Sequence, residues 1–240
     1  MALSEVRNDV RLPVTAAQLG VWVAQRLAPE SALYQCAVHF DSGPLDIEVL
    51  RRSVARAVAE TEALRARFGD DGEVFQVISG TGTGTGTGAL EPPVDLIDLS
   101  ATPDPEAAAR AWMDEDLGTT PDLEAGPLFR HALLVLSESR HFFYLRYHHI
   151  VLDGFGQTRY LDRVARVYSA LLAGEEPGPM RARGLGALVE EESAYRESAH
   201  HGSDREFLLE RLAGAEERQS LADGTAGTAP RALRLRTALP

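Results

Sequence analysis

Hydrophobic and polar residues alternate over residues 33–40, a pattern typical of a β-strand with one buried face. Residues 128–136 and 141–149 are also rich in strand-forming side chains, and the four residues between them suit a turn. We therefore predict a hairpin of two long strands in this region. A second, shorter hairpin is predicted around the sequence Gly-Asp-Asp-Gly at residues 69–72.

Apolar residues spaced three and four positions apart predict helices between these strands. The pattern is clear after Asp46, which can cap the first turn, and in the long segment after residue 154, where Gly174 is the expected stop. A shorter helix is predicted after Thr15, which can cap it, and another is predicted to begin at residues 104–105, Asp-Pro, with the proline in its first turn. Strands and helices are thus mixed along the chain, and we predict an α/β or α+β fold with a mixed sheet flanked by helices.

Three segments outside this pattern also carry predictions. The sequence Ser-Asp-Arg-Glu at residues 203–206 predicts a capping box that opens a last helix through Leu212. The Thr-Gly repeat at residues 80–88 predicts a flexible surface loop. Residues 222–230 suit a connector, and the alternation that follows predicts a strand, so we expect the chain to be one part of a longer protein.

Composition and charge exclude several classes of protein. The 240 residues are 44% hydrophobic, which is ordinary for a globular domain. The 36 acidic residues outnumber the 24 basic ones, which argues against binding to nucleic acid or an anionic membrane. Cys36 is the only cysteine, so neither an intrachain disulfide nor an all-cysteine zinc site is possible. With no long apolar run and no secretory signal in the sequence, we predict a cytoplasmic protein.

The candidate chemistry lies at residues 148–154, which have the sequence His-His-Ile-Val-Leu-Asp-Gly. Successive strand residues point to opposite faces, so His148 and His149 should diverge, and we predict no shared metal ion. An imidazole can accept a proton near neutral pH, which makes histidine the candidate catalytic residue type here. Asp153 would need a partner if buried, and Gly154 would allow a ligand to approach the backbone.

These residues resemble the central motif of nonribosomal peptide synthetase condensation domains, which residues 148–154 match in full. Residues 15–22 resemble the family's opening motif, S-x-A-Q-x-R-[LM]-[WY], with three departures. Residues 60–68 resemble its second motif, R-H-E-x-L-R-T-x-F, but lack the first Arg and the His. The resemblance is strongest to siderophore-type synthetases of the enterobactin kind.

The resemblance implies a two-lobed fold in which each lobe is similar to chloramphenicol acetyltransferase and a tunnel runs between them. Residues 1–221 would form the N-terminal lobe, and residues 222–240 would be the connector and first strand leading to a C-terminal lobe. The N-terminal lobe alone is expected to be inactive. If Met1 is the native start, the acyl donor is expected to come from a separate protein.

The implied reaction is amide formation between an acyl donor and an aminoacyl acceptor. Both would be bound as thioesters to the phosphopantetheine arms of peptidyl or aryl carrier proteins, with no other cofactor bound directly. An adenylation domain is expected downstream.

The resemblance also implies roles for five residues. His149 would lie at the tunnel centre and assist the attack of the amine, either as a general base or by orienting the amine and stabilising the oxyanion. Asp153 would pair with Arg65 and hold the loop, with His148 as a further support. Gly154 would be a backbone neighbour of the reacting centre.

Two alternatives to a condensation domain stay open on the sequence. One is a stand-alone acyltransferase of the chloramphenicol acetyltransferase type, which uses coenzyme A. The other is a non-catalytic module that docks carrier proteins.

Overall fold

The strands of the chain form two separate sheets in the computed structural model, which describes residues 9–80, 94–120, 122–180 and 182–214. The strands are β1 (Val10–Pro13), β2 (Gln35–Ser42), β3 (Ala66–Asp70), β4 (Val74–Ile78), β5 (Val94–Asp98), β6 (Phe129–Ser137) and β7 (Arg140–His148). The smaller sheet has the order β1-β4-β3 and is antiparallel throughout. The larger has the order β2-β7-β6-β5, in which only the β5–β6 pair is parallel. Both predicted hairpins and the mixed sheet are therefore confirmed.

Six α-helices and one short 3-10 helix (Glu62–Arg65) accompany these sheets in the part of the chain that the structure describes. The α-helices are α1 (Ala16–Leu27), α2 (Ile47–Glu60), α3 (Pro105–Leu117), α4 (Gly154–Leu172), α5 (Leu185–Arg196) and α6 (Ala199–Leu212). The caps predicted at Thr15 and Asp46 are confirmed, because each side chain accepts a backbone N–H. The side chain of Asp104 caps α3 in the same way. Gly174 follows α4 with a φ of 71°, which explains why the helix stops there. None of these helices is long and apolar enough to cross a membrane.

The prediction for the last helix is wrong at its start. Helix α6 begins at Ala199, and Ser198 is the cap, with its hydroxyl accepting the N–H of His201. Ser203 lies inside the helix, where its hydroxyl donates to the carbonyl of Ala199. The polar residues 199–202 are therefore the first turn of the helix and not a loop before it. The Thr-Gly residues 81–88 and the predicted connector and strand at 222–240 lie outside the described residues.

The larger sheet has a hydrophobic core on each face. Helices α2 and α4 pack on one face, where they bury side chains such as Val54 and Val164 against Phe143 and Leu145. Helix α3 covers the other face, with Met113 among its buried residues. Because β6 and β7 lie between both cores, they are the most deeply buried strands, and the residues at their ends are rigidly held.

A buried ionic network joins α3 to the sheet. The Asp116 carboxylate accepts hydrogen bonds from Arg146 (2.7 Å), Arg130 (2.7 Å) and the Tyr144 hydroxyl (2.9 Å). Burial alone would raise the pKa of Asp116, but these bonds and the charge of Arg146 hold it below its usual value. The network fixes the C-terminal half of β7, which leads directly to residues 148–154.

Candidate active site

The two adjacent histidines at the end of β7 occupy opposite environments. His148 is fully buried, whereas His149 is exposed at the surface. His149 follows on from the strand face that carries Leu145 and Tyr147, as the alternation predicts. The structure therefore separates the two rings, and only the His149 ring is open to a substrate.

Backbone hydrogen bonds fix the position of His149 from both sides. Its own N–H donates to the carbonyl of Tyr34 at 2.8 Å, which continues the pairing of β2 and β7. The N–H of the next residue, Ile150, donates to Nδ1 of the buried His148 ring at 3.2 Å. The three residues after His149 are all buried, so the chain is anchored immediately beyond the exposed imidazole.

Two of the three buried histidines in the described part of the chain, His131 and His148, make the fold sensitive to acid. Burial lowers the pKa of His131 from its ordinary 6.5 to about 3. Burial, together with repulsion from His149 and Arg146, lowers that of His148 to about 4. Both rings therefore stay neutral in the folded protein at mildly acid pH, while the unfolded chain binds protons below about pH 6.5.

We accordingly expect the free energy of unfolding to be nearly constant between about pH 7.5 and 8 and to fall by about 1.4 kcal/mol from pH 7 to pH 6 as two histidines of the unfolded chain titrate. The loss continues until the folded rings accept protons, near pH 3 to 4. Urea unfolding over a pH series measures it. His200→Gln, at an exposed site on α6, should leave the curve unchanged. A stability that does not change between pH 7.5 and 5 would contradict this assignment.

Asp153 and Gly154 form the first turn of α4. Oδ1 of Asp153 accepts the N–H of Gly156 at 2.6 Å, so the carboxylate is the N-cap of the helix. Asp153 is exposed, which means that it is not the buried charge considered from the sequence. A Cβ at Gly154 would meet nothing within 4 Å, and no contact within the described residues explains the glycine.

The expected pair between Asp153 and Arg65 does not form. Within the described residues, neither side chain makes an ion pair, and an Arg65 guanidinium N–H donates to the carbonyl of Ser79. Burial lowers the pKa of Arg65, partly offset by the nearby Glu62. The physical reason for the difference is that the Asp153 carboxylate is committed to the first turn of α4, while Arg65 is committed to the strand end after β4.

The two upstream motifs, residues 15–22 and 60–68, make structural contacts that the sequence did not predict. Glu62, in the second motif, accepts the N–H of Leu185 at 2.7 Å and so caps the start of α5. A side chain at Gly184 would clash with that carboxylate, with a Cβ only 2.7 Å from its oxygen. Glu192 of α5 in turn accepts the N–H of Ala16, the first residue of α1. The two motifs are therefore joined through α5.

A largely apolar groove lies between α4 and the edge of the larger sheet. Its volume is about 560 Å³, which is in the range of small-molecule sites. Its walls include Phe40, Leu45, Leu50, Phe143, Leu161 and Val164. Gln157, in the first turn of α4, lies at one end and accepts a hydrogen bond from the Tyr147 hydroxyl at 3.4 Å. Tyr147 is two residues before His149 in the chain, so this hydrogen bond connects the groove lining to the strand that carries the exposed imidazole.

The groove and its polar end could not be found from the sequence. It is formed by residues of five separate segments. The alternation at residues 33–40 and the helical stripes predicted a face for residues such as Phe40, Leu50 and Leu161, but not that these faces meet around one groove. No group of three or more histidine, cysteine, aspartate or glutamate side chains within the described ranges could hold a metal ion.

The chain matches a family model described as "Condensation domain" over residues 8–237. It is 38% identical over 238 residues to a dimodular nonribosomal peptide synthase of Bacillus subtilis, covering 97% of this chain and 10% of the relative. It is 42% identical over 208 residues to an isonitrile lipopeptide synthase of Streptomyces coeruleorubidus, covering 85% and 14%. Enterobactin synthase component F of Escherichia coli O157:H7 is 34% identical over 202 residues, covering 83% and 15%.

The fold is similar to that of a solved starter condensation domain from the rhizomide synthetase RzmA, whose complex contains C8-CoA and Leu-SNAC. The TM-score is 0.82 at 32% identity, and the match covers 90% of this chain and 48% of the solved one. The chain thus spans about half of the solved domain and a small part of the curated relatives. The similarity predicted from the motifs, including that to siderophore synthetases, is confirmed.

Proposed function

Because this chain belongs to the condensation-domain family of nonribosomal peptide synthetases, we propose that it supplies the catalytic half of an amide-forming site. The observation that carries the proposal is the exposed His149 imidazole, held on a rigid strand end beside a buried and hydrogen-bonded His148. A group that must act on a substrate needs both accessibility and a fixed position. Family membership favours this function over a stand-alone acyltransferase and over a non-catalytic docking module.

The proposed reaction transfers an acyl group from a thioester to an amine. The nitrogen of the acceptor attacks the carbonyl carbon of the donor, the C–N bond forms, and the C–S bond breaks to release the donor thiol. His149 accepts the proton that the amine loses, or holds the amine while the proton leaves, and either role is worth about 10²–10⁴-fold. Tethering both reactants raises their local concentration to millimolar or above.

The partners follow from the same proposal. Donor and acceptor arrive on the phosphopantetheine arms of carrier domains in the cytoplasm, and an adenylation domain supplies the acceptor. The rest of the condensation domain covers the exposed face around His149 and Phe155, a residue that is 77% exposed. His148, Asp153 and Arg65 act as structural supports through the hydrogen bonds described above.

We further propose that the donor is an aliphatic acyl group whose tail lies in the groove between α4 and the sheet. The groove is lined mostly by hydrocarbon, its Gln157 bonds to Tyr147 two residues before His149, and the similar rhizomide domain was solved in complex with C8-CoA. Burying each methylene group is worth about 0.8 kcal/mol. An apolar tail is therefore the ligand that this surface stabilises best.

A chain-length series tests both the reaction and the donor class. The intact synthetase is given donors from acetyl to decanoyl, on a carrier protein or on coenzyme A, and amide is measured by mass spectrometry. We expect amide with every donor, and a fall in donor KM of about tenfold for each two carbons until the groove is filled. Ala165 lines the groove, so Ala165→Phe should remove this gain and leave the acetyl rate unchanged.

The matched control is Arg159→Phe, on the same helix but outside the groove lining. It should retain the full dependence on chain length. Absence of amide with all donors would contradict the proposed reaction. Amide formation with a KM independent of chain length would contradict only the aliphatic donor.

A further inference from the structure

Gln25, near the end of α1, is a buried polar side chain that none of the sequence motifs includes. Its side-chain nitrogen lies 3.3, 3.0 and 3.1 Å from the carbonyl oxygens of Ala28, Pro29 and Ser31. Carbonyl oxygens only accept hydrogen bonds, so the NH₂ group of the amide must point toward them. The orientation of the Gln25 amide is therefore determined by its surroundings.

This orientation directs the Gln25 carbonyl oxygen at His148. The distance from Oε1 of Gln25 to Nε2 of His148 is 3.2 Å. Because Oε1 can only accept, Nε2 must carry the hydrogen. Nδ1 of the neutral ring is then unprotonated, which is the form needed to accept the N–H of Ile150. Both contacts of the ring thus require a single neutral tautomer.

We propose that Gln25 is a positioning residue for the reaction: it holds His148 as the Nε2-protonated tautomer, and His148 in turn holds the backbone on which His149 is presented. The inference rests on the proposed function only for its effect on catalysis. His149 is bracketed by the Tyr34 carbonyl on its own N–H and by the His148 ring on the following N–H. Loss of the Gln25 oxygen frees the ring to exchange tautomers, and the Ile150 N–H then loses its acceptor for part of the time.

The first test measures the tautomer directly. ¹⁵N NMR of the histidine rings at pH 7 should show His148 as a single Nε2–H tautomer in the wild-type protein and as a mixture in Gln25→Met, which keeps the side-chain length. The control is Gln76→Met, at an equally buried glutamine whose partners are Gln18 and Pro13. It should leave the tautomer unchanged. An Nδ1–H tautomer or a cationic ring in the wild-type protein would overturn the proposal without any variant.

The second test measures catalysis in the intact synthetase. Gln25→Met should lower kcat about tenfold, which is less than the roughly 10²-fold that a misplacement of a reacting group by 1 Å can cost. KM should be unchanged, and Gln76→Met should change neither. Asn can place an oxygen near the position of Nδ1, so in a His148→Asn background Gln25→Met should have no further effect on kcat. An equal loss in both backgrounds would contradict the proposed path through His148. If the synthetase forms no amide at all, the tautomer measurement still decides the role of Gln25.

Discussion

Replacement of His149 by alanine is expected to slow amide formation by about 10²–10⁴-fold, the usual contribution of a single catalytic histidine. The loss should be in kcat, because the donor tail and both carrier arms bind elsewhere. Stability should change little, since the ring is exposed and makes no hydrogen bond or ion pair within the described residues. The backbone N–H that pairs with Tyr34 is retained in the variant.

The measurement is the single-turnover rate of amide formation, with circular dichroism to compare the folds. His200→Ala is the matched control, because this histidine is also exposed but lies on α6. It should retain the wild-type rate. The rate of amide formation is also measured against pH for the wild-type enzyme and for His149→Ala. If His149 is a general base, the variant should lose the part of the pH dependence that comes from imidazole ionisation.

Replacement of Asp116 by alanine is expected to lower the free energy of unfolding by about 3–5 kcal/mol, the usual cost of breaking a buried ion pair from one side. The Asp116 side chain is only 2% exposed and that of Arg146 only 10%, so the guanidinium would stay buried without a countercharge. The Tyr144 hydroxyl would lose its acceptor as well. Urea unfolding measures the effect.

The control for Asp116 is Glu191→Ala, which breaks an exposed ion pair with Arg183 and should cost less than about 1 kcal/mol. The double variant Asp116→Leu, Arg146→Met removes both buried charges. It should be destabilised by less than the sum of the two single variants. Equal losses for Asp116→Ala and Glu191→Ala would contradict a buried network.

The sequence predicted those parts of the fold that local patterns determine. The alternation at residues 141–149 placed the two histidines on opposite faces, and a side-chain cap at Asp46 located the start of α2 to the residue. The start of α6 was missed because Ser198, which caps the helix, and Ser203, which was predicted to cap it, lie five residues apart in a polar segment. Helix α6 has no buried residues, so no apolar stripe shows at which serine the helix begins.

Long-range contacts could not be predicted in the same way. The interaction of Gln25 with His148 joins residues 123 positions apart, as does that of Glu62 with Leu185. A lone polar residue in an apolar stripe gives no indication of its partner. The expected Asp153–Arg65 pair failed in the opposite way. The resemblance predicted a long-range partner for Asp153, but its carboxylate caps the first turn of α4 instead.

The most direct test of the account follows the acyl group through one turnover. Donor carrier, aminoacyl carrier and intact synthetase are mixed, and both carriers are weighed by mass spectrometry. We predict that the acyl mass moves to the acceptor carrier with the wild-type enzyme and stays on the donor carrier with His149→Ala. Transfer by that variant at the wild-type rate, or loss of the acyl group as free acid with no gain on the acceptor, would contradict the account.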